Sequence, residues 1–202
     1  MTSSDQFLEL EELPDNILFV GGGYISFEFA HVAARAGSKV TVLHRSKKPL
    51  NKFDPDLVDM LIKRTENIGI DVILQTKVEK VEIREKQERR KFIVHTSSSN
   101  NNGKIDIIEA DMVVHGAGRV PEIENLNLQA ANVEYDKKTG IKVNEFLQSI
   151  SNQAIYAAGD AAATNGMPLT LAAACETEIV AANLFKKNYL KPENQTKKEY
   201  QV

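Results

Sequence analysis

The stretch Ile17-Leu18-Phe19-Val20-Gly21-Gly22-Gly23-Tyr24-Ile25-Ser26-Phe27-Glu28 decides the fold, because an apolar run enters three glycines and a helical pattern leaves them. Apolar residues then recur at the spacing of one helical face as far as Gly37. Strand, tight turn and helix are therefore predicted in that order. Gly21 permits the turn, Gly23 lets the backbone approach a pyrophosphate, and the helix N-terminus offers N–H groups to the anion. Ser26 takes the third small position, where Gly or Ala is usual.

The residues after the second predicted strand indicate which dinucleotide the turn would favour. A glycine-rich turn alone is weak evidence, because many such turns bind nothing. The context strengthens it, since Lys39–Leu43 is a short β-branched run that completes a β-α-β unit. An Asp or Glu at its end would accept hydrogen bonds from an adenosine ribose, whereas this chain has His44 and a basic loop. Such a loop would donate to a 2′-phosphate and favours NADP over NAD; the alternative is a solvated basic loop. Its cations are Arg45, Lys47, Lys48 and Lys52.

Composition excludes several classes of function. The chain of 202 residues is 42% hydrophobic, which is ample for a core in one large or two small domains. A net charge of −3 predicts neither a nucleic-acid nor a membrane partner. The first residues lack a signal-peptide pattern, so a cytoplasmic location is expected by default. Because the chain has a single cysteine, Cys175, and no histidine with a partner at ligand spacing, no disulfide and no metal site is predicted.

The order of the remaining elements predicts a doubly wound α/β sheet. Asp54 and Pro55 begin a helix that ends near Asn67, and a strand over residues 70–74 follows, giving β-α-β-α-β. The pattern then changes to period 2, which predicts a three-stranded antiparallel meander between residues 78 and 108. Residues 111–115 predict a buried strand that returns to the parallel sheet and ends in a second glycine turn.

From residue 121 onward the composition shifts and a second unit is predicted. Residues 154–158 indicate a buried strand ending in Gly159-Asp160, and an alanine-rich helix follows from about Thr170 to residue 187, with Cys175 as a small core residue. One buried strand, a short partner strand and this helix are too few elements to close a core, so we expect the unit to be mobile or paired with a second copy. Residues 191–202 are expected to form a frayed tail.

Four motifs, taken in order, give a resemblance to one family. Residues 21–28, 116–121, 155–160 and 168–170 resemble successive signatures of the flavin-dependent class I pyridine nucleotide-disulfide oxidoreductases, the family of glutathione reductase, mercuric reductase and dihydrolipoyl dehydrogenase. The resemblance implies a Rossmann-like NAD(P)-binding domain with a parallel sheet and an antiparallel β-meander over residues 1–118. It also implies the C-terminal part of an FAD-binding domain over residues 119–190, followed by the tail.

The resemblance assigns roles to individual residues. It implies that Tyr24 covers the flavin face where nicotinamide enters and that Glu28 lies near the nicotinamide, which makes these two the candidate catalytic residues. Arg45 matches the arginine that binds the 2′-phosphate, but the family's second arginine falls near Asn51, so a lysine would have to compensate. Asp160 would hydrogen-bond the flavin's ribitol. The predicted cofactor-binding residues are Gly21, Gly22, Gly23, Tyr24, Ile25, Glu28, His44, Arg45, Lys47, Lys48, Ala117, Gly118, Arg119, Gly159, Asp160, Leu169 and Thr170.

Three functions remain open. The first is part of an NADPH- and FAD-dependent oxidoreductase that passes hydride to flavin and then to a disulfide or related small electron acceptor, as a homodimer in full-length form. The second is a stand-alone NADP-binding module or split subunit, and the third is an inert truncated product. The family's redox cysteine pair does not occur in this chain, so the chain alone is expected to be inactive.

Overall fold

The computed structural model describes residues 1–86, 89–98, 105–164, 166 and 168–186. It divides into two compact units, Met1–Gly118 and Arg119–Val202. The predicted tail, residues 191–202, lies outside the described residues, as does the predicted last residue of the final helix.

A four-stranded parallel sheet is the centre of the first unit. Its strands are β1 (Asn16–Val20), β2 (Lys39–Leu43), β3 (Asp71–Ile73) and β7 (Met112–His115), in the order β3-β2-β1-β7. The central β1 pairs with β2 on one side and with β7 on the other. Helix α2 (Tyr24–Arg35) connects β1 to β2, and α3 (Pro55–Asn67) connects β2 to β3. The predicted doubly wound α/β arrangement is confirmed.

Both faces of this sheet are buried, which explains why β1 is apolar throughout. Phe19 points into a cluster with the alanines of α2, whereas the neighbouring Leu18 points into a cluster on the opposite face. On the α2 face, helix α1 (Ser4–Leu8) places Phe7 against Phe19 and Phe29, with ring centroids 5.6 and 5.0 Å apart. The opposite face is covered by the meander.

The meander forms as predicted, with strands longer than the apolar pattern indicated. Its strands are β4 (Thr76–Lys86), β5 (Arg89–Ser98) and β6 (Ile105–Ala110), antiparallel in the order β4-β5-β6. Phe92 and Val94 of β5 pack with Val113 of β7, so the meander lies across the parallel sheet. Asp111, between β6 and β7, accepts hydrogen bonds from the backbone and side-chain N–H groups of Asn16 at the start of β1.

The second unit contains a small core, which contradicts the expectation that its elements are too few. It contains the hairpin β8 (Tyr135–Asp136) and β9 (Gly140–Ile141) and the helix α4 (Thr170–Lys186). Tight turns and 3-10 segments join the hairpin in bringing the apolar residues together, and Asn127, in the left-handed region, ends the 3-10 segment Glu124–Leu126. The buried members of this hydrophobic cluster are Ile123, Leu128, Val133, Ile141, Ala157 and Ala162.

Two other predictions for this unit are wrong. Residues 154–158 do not form a strand. Within this segment, the described residues show one β-bridge, between Tyr156 and Gln148, so the segment has a β-partner on one side alone. Cys175 is exposed rather than buried. The reason is the orientation of α4, which buries Asn183, 4% exposed, and leaves Phe185 86% exposed. The Asn183 side chain donates a hydrogen bond to the carbonyl of Phe146 (3.1 Å), so a polar contact sets the buried face.

Candidate functional site

The first glycine turn lies at the carboxyl end of β1, where each glycine meets a different constraint. Gly21 has φ +109°, and a Cβ on it would collide with the backbone of Gly116 and Ala117. A Cβ on Gly22 would lie 2.7 Å from the Cβ of Pro49. Within the described residues, and apart from its chain neighbours, the one atom within 4 Å of a Cβ on Gly23 would be the Gly116 carbonyl oxygen, at 3.4 Å. The turn is therefore packed from behind at its first two glycines and open at the third.

The N-terminus of α2 follows this open position. Gly23 is its N-cap and provides no side-chain hydrogen bond, and the first intrahelical bond runs from Phe27 N to the Gly23 carbonyl (3.2 Å). The amides of Tyr24, Ile25 and Ser26 therefore precede the first intrahelical donor. A twelve-residue helix with an uncapped N-terminus offers these N–H groups and its dipole to an anion.

The basic loop begins at the end of β2 and is anchored on both sides. On the meander side, Thr76 N donates to the His44 carbonyl (2.9 Å) and Gln75 N donates to the Ser46 carbonyl (3.1 Å). On the other side, Leu50 N donates to the carbonyl of Gly22 (3.2 Å). The backbone of the loop is therefore fixed relative to the glycine turn.

The exposed cations of this loop differ in their surroundings. Lys48 forms an ion pair with Asp59 of α3, with Nζ and Oδ2 3.2 Å apart, whereas the described part of the chain offers Arg45 and Lys47 no ion pair. Two of the predicted phosphate-binding cations thus remain unpaired within the described residues. The competing carboxylate of Asp59 was missed, because it comes eleven residues after Lys48 in the sequence.

His44 was predicted to contact the cofactor, but both of its ring nitrogens are used within the protein. Gly22 N donates to Nδ1 (3.1 Å), and Nε2 lies 3.0 Å from the carbonyl of Lys48. Burial lowers the pKa of His44, the Lys48 carbonyl raises it, and nearby Arg45 lowers it, and the balance leaves the pKa below its ordinary value of 6.5.

The second glycine turn lies beside the first. Gly116 N donates to the carbonyl of Val20 (2.8 Å), and a Cβ on Gly116 would collide with Oγ of Ser26. That hydroxyl is buried and has no hydrogen-bond partner among the described residues. Ala117 and Gly118 are exposed, and Gly118 has φ +129°. The ends of β1, β2 and β7 thus place two glycine turns and the basic loop at one edge of the sheet.

Tyr24 and Glu28 are exposed on α2 and line a groove of about 400 Å³ that α3 closes on the other side. Phe53 and Leu57 are further lining residues and are 47% and 60% exposed. His31 joins the two helices, with Nε2 2.8 Å from Oγ1 of Thr65. Burial, and then repulsion from Arg35 and Arg64, lower the pKa of His31.

The remaining predicted site residues belong to the second unit. Asp160 is exposed in a 3-10 turn whose Gly159 N donates to Oε2 of Glu176 on α4 (2.7 Å). Thr170 begins α4, and the carbonyl of Leu169 accepts from Ala173 N (3.0 Å). Arg119 is exposed. The contribution of Glu176 was missed, although a carboxylate within an alanine-rich helix was a visible signal.

A search against family models identifies the pyridine nucleotide-disulphide oxidoreductase family over residues 2–177. The chain belongs to this family. The resemblance predicted from the four motifs is thereby confirmed. This family comprises flavin-dependent oxidoreductases that use pyridine nucleotides.

Individual oxidoreductases of the family align with almost the whole chain. A mercuric reductase from Staphylococcus aureus is 35% identical over 181 residues, 90% of this chain and 31% of the relative. A glutathione reductase from Burkholderia cepacia is 34% identical over 185 residues, 92% of this chain and 38% of the relative. The HOCl-induced flavoprotein disulfide reductase RclA from Escherichia coli superposes with a TM-score of 0.77 at 28% identity, covering 94% of this chain and 40% of that structure. The chain thus spans about a third of the length of these oxidoreductases.

The described residues also bear on metal binding and on membrane insertion. No group of three His, Cys, Asp or Glu side chains there could hold a metal ion. Within the same residues, no helix has the length and apolar character needed to cross a membrane.

Proposed function

We propose that residues 1–118 bind NAD(P)H, with a preference for NADPH, and present its nicotinamide to the flavin of an FAD-dependent pyridine nucleotide-disulfide oxidoreductase. One observation carries the proposal: an uncapped helix N-terminus after the Gly21 turn lies at the same sheet edge as the basic loop of Arg45. A pyrophosphate and a 2′-phosphate are the two anionic groups of NADPH, and these are the two features that would bind them.

Each part of the dinucleotide has a candidate partner in this unit. The amides after Gly23 would bind the pyrophosphate, where the open turn leaves room for close approach. Arg45, with its planar guanidinium, would donate two hydrogen bonds to the 2′-phosphate, and Lys47 would add charge. Tyr24 and Glu28, one helical turn apart on α2, would bind and orient the nicotinamide end.

The second unit would contribute to the flavin site. Asp160 is an exposed carboxylate that could accept hydrogen bonds from ribitol hydroxyls, and the N-terminus of α4 at Thr170 would stabilise negative charge on the flavin ring. Bound FAD would supply the acceptor for hydride and the route of the electrons to a disulfide or related small acceptor. We further infer a homodimer as the full-length form, on the basis of the family alone.

A stand-alone NADP-binding module is the second candidate. The first unit favours it, because both faces of its sheet are covered by its own residues. Flavin absorbance of the purified chain bears on this choice. A value near one equivalent would support the oxidoreductase role over the stand-alone module, whereas dinucleotide binding without flavin would fit both candidates.

The nucleotide preference is tested by reversing the charge of Arg45. We expect the unaltered chain to bind NADPH more tightly than NADH. Arg45→Glu should weaken NADPH binding by about tenfold to a hundredfold, because it removes a charge-assisted hydrogen bond that contributes about 1.5–3 kcal/mol. The affinity for NADH should change little. Calorimetric titration with both nucleotides measures this.

Lys39→Glu is the matched control. Lys39 is exposed at the opposite end of β2, about 20 Å from Arg45 at the rise of a β-strand, so the same change in net charge should leave both affinities unaltered. Equal affinity of the unaltered chain for NADPH and NADH would refute the preference. A chain that binds neither nucleotide would refute the proposed function.

A further inference from the structure

The His44 ring lies between the glycine turn and the basic loop. The His44 link, as we name it, consists of the hydrogen bond from Gly22 N to Nδ1 (3.1 Å) and the bond from Nε2 to the Lys48 carbonyl (3.0 Å). The ring also packs against Gly22, since a Cβ on that glycine would lie 2.9 Å from Cγ and Nδ1 of His44. Gly22 is therefore a glycine because His44 and Pro49 occupy the space beside it.

The two bonds of the link require one form of the imidazole. A backbone N–H can only donate, so Nδ1 must carry no proton, and a carbonyl can only accept, so Nε2 must carry one. The neutral Nε2–H tautomer satisfies both partners. In the imidazolium, an N–H at Nδ1 would face the N–H of Gly22, so the charged form breaks the link on the glycine side.

The link consumes the Gly22 amide, which is thus not available to a phosphate. The amides that remain for the anion are those that follow Gly23 in the first turn of α2. Leu50 N, bonded to the Gly22 carbonyl (3.2 Å), holds the same glycine from the other end of the loop. Gly22 is therefore bonded through both its N–H and its carbonyl to the loop that carries Arg45.

We propose that His44 is a positioning residue of the dinucleotide site, whose neutral ring holds the glycine turn and the basic loop at a fixed separation. This inference rests on the proposed binding of NAD(P)H, and it replaces direct contact between His44 and the nucleotide. A link that sets the distance between the pyrophosphate-binding amides and Arg45 contributes to affinity without touching the ligand. Breaking the link should weaken binding by about threefold to tenfold, the effect of one neutral hydrogen bond.

Acidification should break the link in the unaltered protein. Burial lowers the pKa of His44, the hydrogen bond to the Lys48 carbonyl raises it, and Arg45 lowers it; the net result is a pKa below 6.5. The ring is therefore neutral at pH 7 and becomes charged as the pH falls through the lowered pKa. The charged side chains on its own loop are Arg45, Lys47, Lys48 and Lys52, and Lys48 is paired with Asp59 of α3. The glycine turn and Pro49, which pack against the ring, carry no titratable side chain.

The test compares two replacements at one position. In His44→Asn, the side-chain oxygen can take the place of Nδ1 and accept from Gly22 N, and the residue does not titrate. In His44→Leu, similar bulk remains without an acceptor. Binding of NADP⁺, which is stable in acid, is measured on the full chain from pH 8 to pH 5, and His95→Gln, in β5 of the meander, serves as a histidine control.

We expect His44→Asn to bind within about threefold of the unaltered chain at pH 8, and His44→Leu to bind up to about tenfold more weakly. Dividing the unaltered affinity by that of His44→Asn at each pH removes the titration of the ligand's own phosphate. This ratio should fall as the pH drops. A ratio that rises in acid would show that charged His44 contacts the phosphate directly, and a constant ratio would show no role; either outcome overturns the inference.

An NMR measurement on the unaltered chain keeps the inference testable if His44→Leu does not fold. Nitrogen shifts of the ring should report the Nε2–H tautomer at pH 8, and the Gly22 amide should shift with the titration of His44. The opposite tautomer, or a Gly22 amide that ignores this titration, refutes the link. These observations need no ligand, so they separate a failure of the link from a failure of NAD(P)H binding.

Discussion

At the scale of single residues, the contact between Ser26 and Gly116 shows how the motif accommodates Ser in place of the usual Gly or Ala. Ser26 is fully buried, and its hydroxyl lies where a Cβ on Gly116 would be. The hydroxyl has no hydrogen-bond partner among the described residues, so its burial costs free energy without compensation. A glycine at position 116 is therefore required by the Ser26 side chain on α2.

We predict that Ser26→Ala raises the free energy of unfolding by about 1 kcal/mol, because it removes a buried, unpaired hydroxyl. Gly116→Ala should lower it by about 1–3 kcal/mol through overpacking. Combining the two should recover part of that loss, since the remaining Cβ atoms would be 3.3 Å apart. Urea unfolding of the single and double variants measures the coupling.

The control for this pair is Gly37→Ala. Gly37 has φ +104°, and no described residue beyond its chain neighbours lies within 4 Å of its missing Cβ, so Gly37→Ala should lose stability through backbone strain alone. Ser26→Ala should not reduce that loss. Strictly additive effects of Ser26→Ala and Gly116→Ala would contradict the proposed contact.

At the scale of elements, Asp111 joins the meander to the parallel sheet. Its Oδ1 is 2.6 Å from Nζ of Lys91 on β5, and its Oδ2 accepts from the backbone N (3.0 Å) and side-chain Nδ2 (2.7 Å) of Asn16. Burial alone would raise the pKa of Asp111, but the hydrogen bonds from Lys91 and Asn16 outweigh it and hold the pKa below its ordinary value of 3.8.

We predict that Asp111→Asn lowers the free energy of unfolding at pH 7 by about 1.5–3 kcal/mol, the range for charge-assisted hydrogen bonds. Because the folded-state pKa is depressed, the stabilisation is complete above the ordinary value and is lost as the pH falls through the lowered one. The difference between the variant and the unaltered chain, measured by urea unfolding, should therefore shrink in strong acid. Asp106→Asn on β6, where the carboxylate is exposed, is the control with the same change of charge. An equal loss of unfolding free energy in this control would argue against the role of Asp111 in joining the meander to the parallel sheet.

Elements with a local pattern could be predicted, whereas those set by distant contacts could not. The run before Gly21 and the helical spacing after it identify β1 and α2, because each pattern lies within a dozen residues. The buried face of α4 depends instead on Asn183 reaching Phe146, a contact across 37 residues. Likewise, His44 lies beside Gly22 because β1 pairs with β2. The sequence therefore indicated that His44 belongs to the dinucleotide site, but not that its ring nitrogens bond to the protein itself.

At the scale of the whole molecule, the two units differ in how completely their backbones are paired. β1 is flanked by strands on both sides, whereas residues 154–158 are paired through Ala157 N to the Leu147 carbonyl (3.0 Å) and Ser149 N to the Ile155 carbonyl (2.8 Å) on one side. Among the described residues, the first unit has two hydrophobic clusters about its sheet, and the second has one. Local stability should follow this difference.

We predict that the Ala157 amide exchanges hydrogen at least about tenfold faster than the amides of residues 18–20, because one-sided pairing opens without global unfolding. Hydrogen exchange followed by NMR on a demonstrated monomer measures both. Equal protection of Ala157 and Leu18 would contradict this prediction and would show that the second unit unfolds only together with the first.

The anchoring of the basic loop also has a kinetic consequence. With Leu50 held on Gly22, and Ser46 and His44 held on the start of the meander, the loop needs no ordering step before a nucleotide enters. In stopped-flow mixing, the observed rate constant should rise linearly with NADPH concentration, as it does for binding in one step. A rate that levels off at high concentration would reveal a slow rearrangement between two forms of the loop.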